Sequence, residues 1–154
     1  MSLESVKKYF AQHGMEDRVM VLENSTATVH EAAREHKVDP DQIGKTLSFK
    51  LDSKPILIVV AGSAKIDNQK YKNEFSKKAK MLSADEVQEI TGHPVGGVCP
   101  FGLQQPIDVY LDVSLKRFPE VIPAAGSQTS AIRLTLEELE KYSGSLGWVD
   151  VCKE

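Results

Sequence analysis

Apolar residues near the start of the chain recur at helical spacing. Leu3, Val6 and Phe10 predict a helix over 2–13, with Ser2 able to cap it and Gly14 to stop it. The run Arg18 to Glu23 (RVMVLE) reads as a short strand. Thr28 and Glu31 have capping-box spacing, so a second helix is expected from about Val29. Asp39-Pro40 starts a third, brief one, because Gly44 follows closely. Thr46 to Leu51 alternates polar and apolar positions, whereas Pro55 to Ala61 is apolar throughout. These two predict a half-buried strand and a fully buried one, joined as a hairpin through 52–54. Beyond them, 68–77 reads as a helix, and Ser83 with Glu86 opens another that ends near Thr91-Gly92. Strands are expected over 107–112, 121–124 and 131–134. A last helix, capped by Thr135 with Glu138, should run to about Tyr142, with a short strand near 148–152.

Strands and helices therefore mix irregularly instead of alternating in β-α-β-α order. That pattern predicts an α+β fold with a mixed, largely antiparallel sheet. The length of 154 residues fits one domain spanning 1–154, and no internal repeat or linker interrupts it. Such a chain buries enough surface to hold a core without metal or disulfide staples.

Composition adds exclusions. The two cysteines, Cys99 and Cys152, lie far apart and form no CxxC pair, and no His-Cys cluster has zinc spacing. The N-terminal segment is charged and amphipathic, and no stretch approaches the ~20 apolar residues that cross a bilayer. A reducing, cytoplasmic setting with free thiols, and no membrane, is the expectation. The formal net charge of -3 excludes a strongly basic molecule. Locally, however, six lysines between Lys65 and Lys80 face only Asp67 and Glu74, a basic stretch suited to phosphates.

Three places could carry chemistry. Thr91 to Gly102 holds four glycines and two prolines in twelve residues. Such a stiff loop, with bare N–H groups, can cradle an anion or let a ligand approach the backbone. It matches neither the P-loop nor the GxGxxG pattern. Lys45, after Gly44 at a strand start, offers an ammonium that can hold a phosphate or polarise an ester carbonyl. The small-residue turn Ala124-Ala-Gly126-Ser127 could line a pocket through the Gly126 N–H or the Ser127 hydroxyl. Other chemistry has less support. His30 and His36 are six apart rather than four, and a Cys99–His93 nucleophilic pair requires a contact that sequence does not give.

Together these segments resemble a known family. Ser25 to Ala33, Gln42-Ile-Gly-Lys45-Thr-Leu47, Val59 to Gly62, the loop Thr91 to Gly102 and Ala124-Ala-Gly126 resemble YbaK proteins. That family comprises freestanding trans-editing proteins and the editing insertion of bacterial prolyl-tRNA synthetases. The resemblance runs from about Asn24 to Tyr142. It implies a barrel-like mixed sheet wrapped by helices, and hydrolysis of the ester joining a small wrong amino acid (Ala, Ser, Thr or Cys) to the 3'-terminal ribose of tRNA. The partners it implies are the acceptor end of aminoacyl-tRNA and a synthetase, with no metal or organic cofactor. It points to Lys45 as the lysine needed for activity, and to Thr46, Gly96, Gly97, Val98, Pro100, Ala124, Gly126 and Ser127 as substrate-binding positions. Ala131 stands where members of the cysteine-specific type carry an aspartate, which argues against cysteine as the residue removed. Two other readings fit the same residues: a tRNA- or synthetase-binding module without turnover, and an esterase for small free esters.

Overall fold

The computed structural model describes residues 2–154. Helix α1 (Ser2–Ala11) buries Val6 and Phe10, the two positions one turn apart, and β1 (Val19–Val21) follows. Helix α2 (Val29–His36) has the expected capping box between Thr28 and Glu31. A 3-10 turn over Pro40–Gln42 uses Asp39 as its cap. The hairpin is β2 (Ile43–Leu51) and β3 (Lys54–Ala61), in register from Gly44↔Ala61 to Leu51↔Lys54. Helices α3 (Asn68–Phe75) and α4 (Ala84–Thr91), strand β4 (Asp108–Asp112) and strand β5 (Glu120–Pro123) come next. The chain ends with β6 (Ser130–Ile132), β7 (Leu134–Thr135), α5 (Leu136–Tyr142) and β8 (Trp148–Val149).

Six strands form a curled mixed sheet in the order β7-β5-β2-β3-β4-β8, and β1 pairs antiparallel with β6 beside it. The long β2–β3 hairpin makes antiparallel pairing predominate in the register, while β2–β5, β3–β4 and β4–β8 are parallel. The apolar run of β3 has a direct cause: both of its faces are covered. Val59 joins a core with Val6, Phe10, Phe101, Leu111 and Ile132. Its neighbours Ile58 and Val60 face the other way, into a second core with Phe49, Tyr71 and Val151. A third, smaller core lies where α2 covers the sheet, with Ala32 and Ala33 against Ile43, Ile122 and Ala131.

Three sequence expectations are revised. β2 begins at Ile43, three residues before the alternation suggests, so Lys45 lies within a strand instead of at its mouth. The strand expected over 131–134 is two strands. β6 pairs with β1 and β7 with β5, and the chain changes partner at Arg133. There the Arg133 carbonyl accepts a 2.8 Å hydrogen bond from Arg18. Finally, the last strand is only Trp148–Val149, with Cys152 making an isolated bridge to Ile66. Among the described residues, no helix is long and apolar enough to cross a membrane.

Candidate functional site

Helix α2, strand β2 and the glycine loop enclose a cleft of about 360 Å³. Each wall follows from local sequence. Thr28 fixes the start of α2 through its capping box, and the helix then presents Val29, Ala32 and His36 to the cleft at three- and four-residue spacing. β2 contributes Ile43 to Ser48, and β5 and β6 supply Ile122 and Ala131 at the apolar floor. Met81, more than half exposed, stands at the cleft beside Leu82.

Gly96 closes the remaining side. It adopts φ +89°, and a Cβ there would lie 2.8 Å from the Ala27 side chain. Any larger residue would meet both a backbone penalty and a clash, so glycine lets the loop touch the entry to α2. Gly97 packs as closely on Ser127, where a Cβ would lie 2.7 Å from the Ser127 amide nitrogen. Two loop amides are engaged internally, Gly97 N–H to Pro94 and Gly126 N–H to Gly97 (3.0 Å). The Gly96 and Val98 amides have no internal acceptor among the described residues, and both residues line the cleft.

The structure thus brings Lys45, Thr46, Gly96, Val98 and Ala124 to one cleft. Gly97, Gly126 and Ser127 lie behind its wall, where the Ser127 hydroxyl donates to Ser130 Oγ at 2.7 Å. Gly126 takes φ +95° beneath α1, and a Cβ there would lie 2.6 Å from the Ser2 carbonyl oxygen. Pro100 is buried and lines a different groove, with Tyr9 and Pro55.

Lys45 is half-buried, and its Nζ donates a 2.9 Å hydrogen bond to the Ala64 carbonyl. Burial lowers its pKa from the ordinary lysine value; Cys152 and Asp41 oppose that shift and Lys65 reinforces it. The carbonyl that receives the ammonium is itself held. Asp41, 8% exposed, accepts hydrogen bonds from the Ser63 amide (3.0 Å) and hydroxyl, and pairs with Arg117. These donors, led by the Ser63 hydroxyl, keep the Asp41 carboxyl below its ordinary range. Gly62 completes the clasp, because a Cβ there would sit 2.1 Å from the Pro40 carbonyl oxygen. Sequence reading did not single out Asp41, Ser63 or Arg117, since 22 and 76 residues separate the partners of Asp41 from it.

His36 was also passed over as a cleft residue. Its pKa is lowered by burial and by Arg133, although Glu35 opposes the shift. The Cys99–His93 contact does exist, at 3.6 Å, but both residues are fully buried. His93 Nε2 binds the Phe101 carbonyl at 2.7 Å, and burial pushes the Cys99 thiol up to about 12. A thiol with that pKa and no solvent access is a packing group, not a nucleophile. Among the described residues, no group of three or more His, Cys, Asp or Glu side chains converges as a metal-ligand set. In the basic stretch, Lys70 pairs with Asp150 and Glu154, and Lys77 with Asp52, while Lys65, Lys72, Lys78 and Lys80 are exposed.

Known proteins are similar to this chain in sequence and fold. A family model described as the aminoacyl-tRNA editing domain matches residues 23–142. The uncharacterized protein YwhH of Bacillus subtilis (strain 168) is 54% identical, over 100% of this chain and 99% of its own. A proline–tRNA ligase of Bacillus licheniformis is 31% identical over 60% of this chain, a match that spans only 16% of the ligase. Among solved structures, a candidate trans-editing enzyme for prolyl tRNA synthetase superposes with a TM-score of 0.83 at 30% identity. That match covers 97% of this chain and 98% of the other.

Proposed function

The chain belongs to the aminoacyl-tRNA editing domain family, and we propose that its cleft hydrolyses the ester of a mischarged aminoacyl-tRNA. The observation that carries this reading is that Lys45 and two loop residues whose amides have no internal acceptor among the described residues, Gly96 and Val98, line one small cleft. Ester hydrolysis requires little more. A water attacks the carbonyl carbon, the carbonyl oxygen becomes anionic, and the C–O bond to the terminal ribose breaks. The water's proton ends on the departing ribose hydroxyl, and the amino acid is released.

Donors fixed beside the oxygen where charge develops stabilise that transition state, each worth about 3 kcal/mol in comparable sites. In this proposal the amides of Gly96 and Val98 are those donors. The Lys45 ammonium supplies positive charge beside the reacting end of the tRNA. Thr46 and Ala124 line the amino-acid pocket, while Gly97, Gly126, Ser127 and Pro100 support the loop from outside the cleft. The wall of small side chains suits a small amino acid, of the kind a synthetase rejects poorly because one methylene is worth only ~1–3 kcal/mol.

The test is a panel of tRNA-Pro charged separately with alanine, serine, threonine, cysteine and proline, each in excess over protein. Release of a small non-cognate residue with proline spared is the expected result. Failure to release any of them, from tRNA-Pro or from each tRNA's own acceptor, contradicts the proposal.

A further inference from the structure

Helix α1 lies before residue 23, where the match to the editing family begins, yet it packs on the back of the glycine loop. Two glycines mark where it touches. Gly102, at the end of the loop, takes φ +57°, and a Cβ there would lie 2.7 Å from the Ser5 carbonyl carbon. Gly126 meets the start of the helix in the same way, at Ser2. At both points helix backbone lies directly on loop backbone, with no room for a side chain between them.

Polar contacts hold the same two points. The Ser2 hydroxyl donates to the Gly126 carbonyl. The Ser5 hydroxyl lies 3.0 Å from the Gly102 carbonyl oxygen and 2.8 Å from that of Ser2, with one proton to share between them. On the same side of the helix Val6 and Phe10 are fully buried, and the Phe10 ring stands edge-on to Phe101 with centroids 4.9 Å apart. Further along, the Tyr9 hydroxyl donates to the Tyr142 carbonyl at 2.5 Å.

From these points the hold reaches the cleft in one step. The Gly126 N–H donates to the Gly97 carbonyl at 3.0 Å, and Gly97 stands between Gly96 and Val98, the residues whose amides have no internal acceptor among the described residues. At the other end, the Phe101 carbonyl, next to Gly102, binds His93 Nε2 at 2.7 Å and so ties the two ends of the loop together. Donors that serve a transition state must be held within about 0.5 Å of their place. Amides without an internal partner cannot hold themselves there.

We infer that Ser2 and Ser5 are positioning residues for the proposed hydrolysis: through α1 they brace the glycine loop and fix the Gly96 and Val98 amides at the cleft. The inference rests on the hydrolytic reading and adds to it a support from outside the matched region. Neither hydroxyl lines the cleft, and both act through Gly126 and Gly102 behind its wall.

The test is Ser2→Ala/Ser5→Ala, which removes both hydroxyls and leaves Val6, Phe10 and the helix in place, alanine being the strongest helix former. One readout is kcat and KM on the charged tRNA-Pro panel. The other is hydrogen exchange of the Gly126 amide beside that of the β3 core amides, which reports local opening without any substrate. The double variant is expected to lose about tenfold in kcat, less than the removal of a whole donor, with KM within about twofold of wild type. The Gly126 amide should exchange about tenfold faster or more, while the β3 amides keep their rates. Ser5→Ala alone, which retains the Ser2 contact, should move both readouts the same way by less.

Unchanged exchange at Gly126 overturns the inference, as does an unchanged kcat where the wild type turns over. An equal rise in exchange across β3 also overturns it, because the two serines would then be ordinary stabilisers of the fold. A wild type that releases nothing, while Gly126 alone loosens in the double variant, sinks hydrolysis and leaves the brace standing.

Discussion

The Nζ of Lys45 donates a 2.9 Å hydrogen bond to the carbonyl of Ala64. That carbonyl belongs to a turn clasped by Asp41 through the amide and hydroxyl of Ser63. The ammonium of the lysine proposed to serve the substrate thus rests on an oxygen of the neighbouring pocket, with Asp41, Lys65 and Cys152 about it, and leaves that oxygen to enter the cleft. Lys45→Ala removes one charge and one half-exposed hydrogen bond, so the fold should survive with a small change in melting temperature. Deacylation should fall by about a hundredfold or more, the scale for losing one transition-state donor. Full activity in the folded variant would remove Lys45 from the site.

Asp41→Asn tests the clasp instead of the lysine. The carboxylate accepts three hydrogen bonds while nearly buried, so its amide replacement leaves a mismatched donor against Ser63 or Arg117. A stability loss of about 1–3 kcal/mol in urea unfolding is expected. Turnover should also fall, by less than in Lys45→Ala, because the Ala64 acceptor shifts while the ammonium remains.

Gly62→Ala is a purely steric probe, since the new Cβ would lie 2.1 Å from the Pro40 carbonyl oxygen and 2.7 Å from Val29. Backbone stands in the way rather than a flexible side-chain end, so relief requires moving the 3-10 turn or the end of β3. A loss of about 3 kcal/mol or more, read by thermal unfolding, is the expected outcome. A neutral substitution would show that the close approach is not a constraint.

Acid stability has a local source. Arg18 binds Glu138 at 2.6 Å, and with the capping box of α5 this holds the Glu138 carboxyl down to about 2 from an ordinary 4.5. Because the folded-state value is depressed, its stabilisation is complete above about pH 4.5 and is lost as pH falls towards about 2. Both side chains are partly exposed, so solvent screening leaves about 1 kcal/mol. In Glu138→Gln, the acid limb of stability between those pH values should flatten by that amount, while stability near neutrality falls.

How much of this was legible in advance divides along physical lines. The capping boxes at Thr28, Ser83 and Thr135 are short-range rules, and all three helices start where those residues place them. The β2–β3 hairpin was equally readable, because alternation and a continuous apolar run differ in period and occupy adjacent segments. Partners distant in sequence were not readable. The parallel pairing of β2 with the two-residue ladder of β5 leaves no local periodicity. His36 sits six residues after His30, so as a metal ligand it was set aside, and only the packing of α2 over Ile43 and Ile122 turns it towards the cleft. Lys45, Thr46, Gly96, Val98 and Ala124 share one cleft, but Gly126 and Pro100, adjacent to these segments in sequence, face α1 and a second groove.

The central claim is turnover at this cleft, and the most direct measurement is release of amino acid per protein molecule with alanyl-, seryl-, threonyl- or cysteinyl-tRNA-Pro in large excess, for wild type and Lys45→Ala side by side. The account predicts many turnovers by the wild type and a rate lower by about a hundredfold or more in the variant. Tight binding of the charged tRNA without release, equal in both proteins, would contradict it and leave a tRNA-binding module in its place.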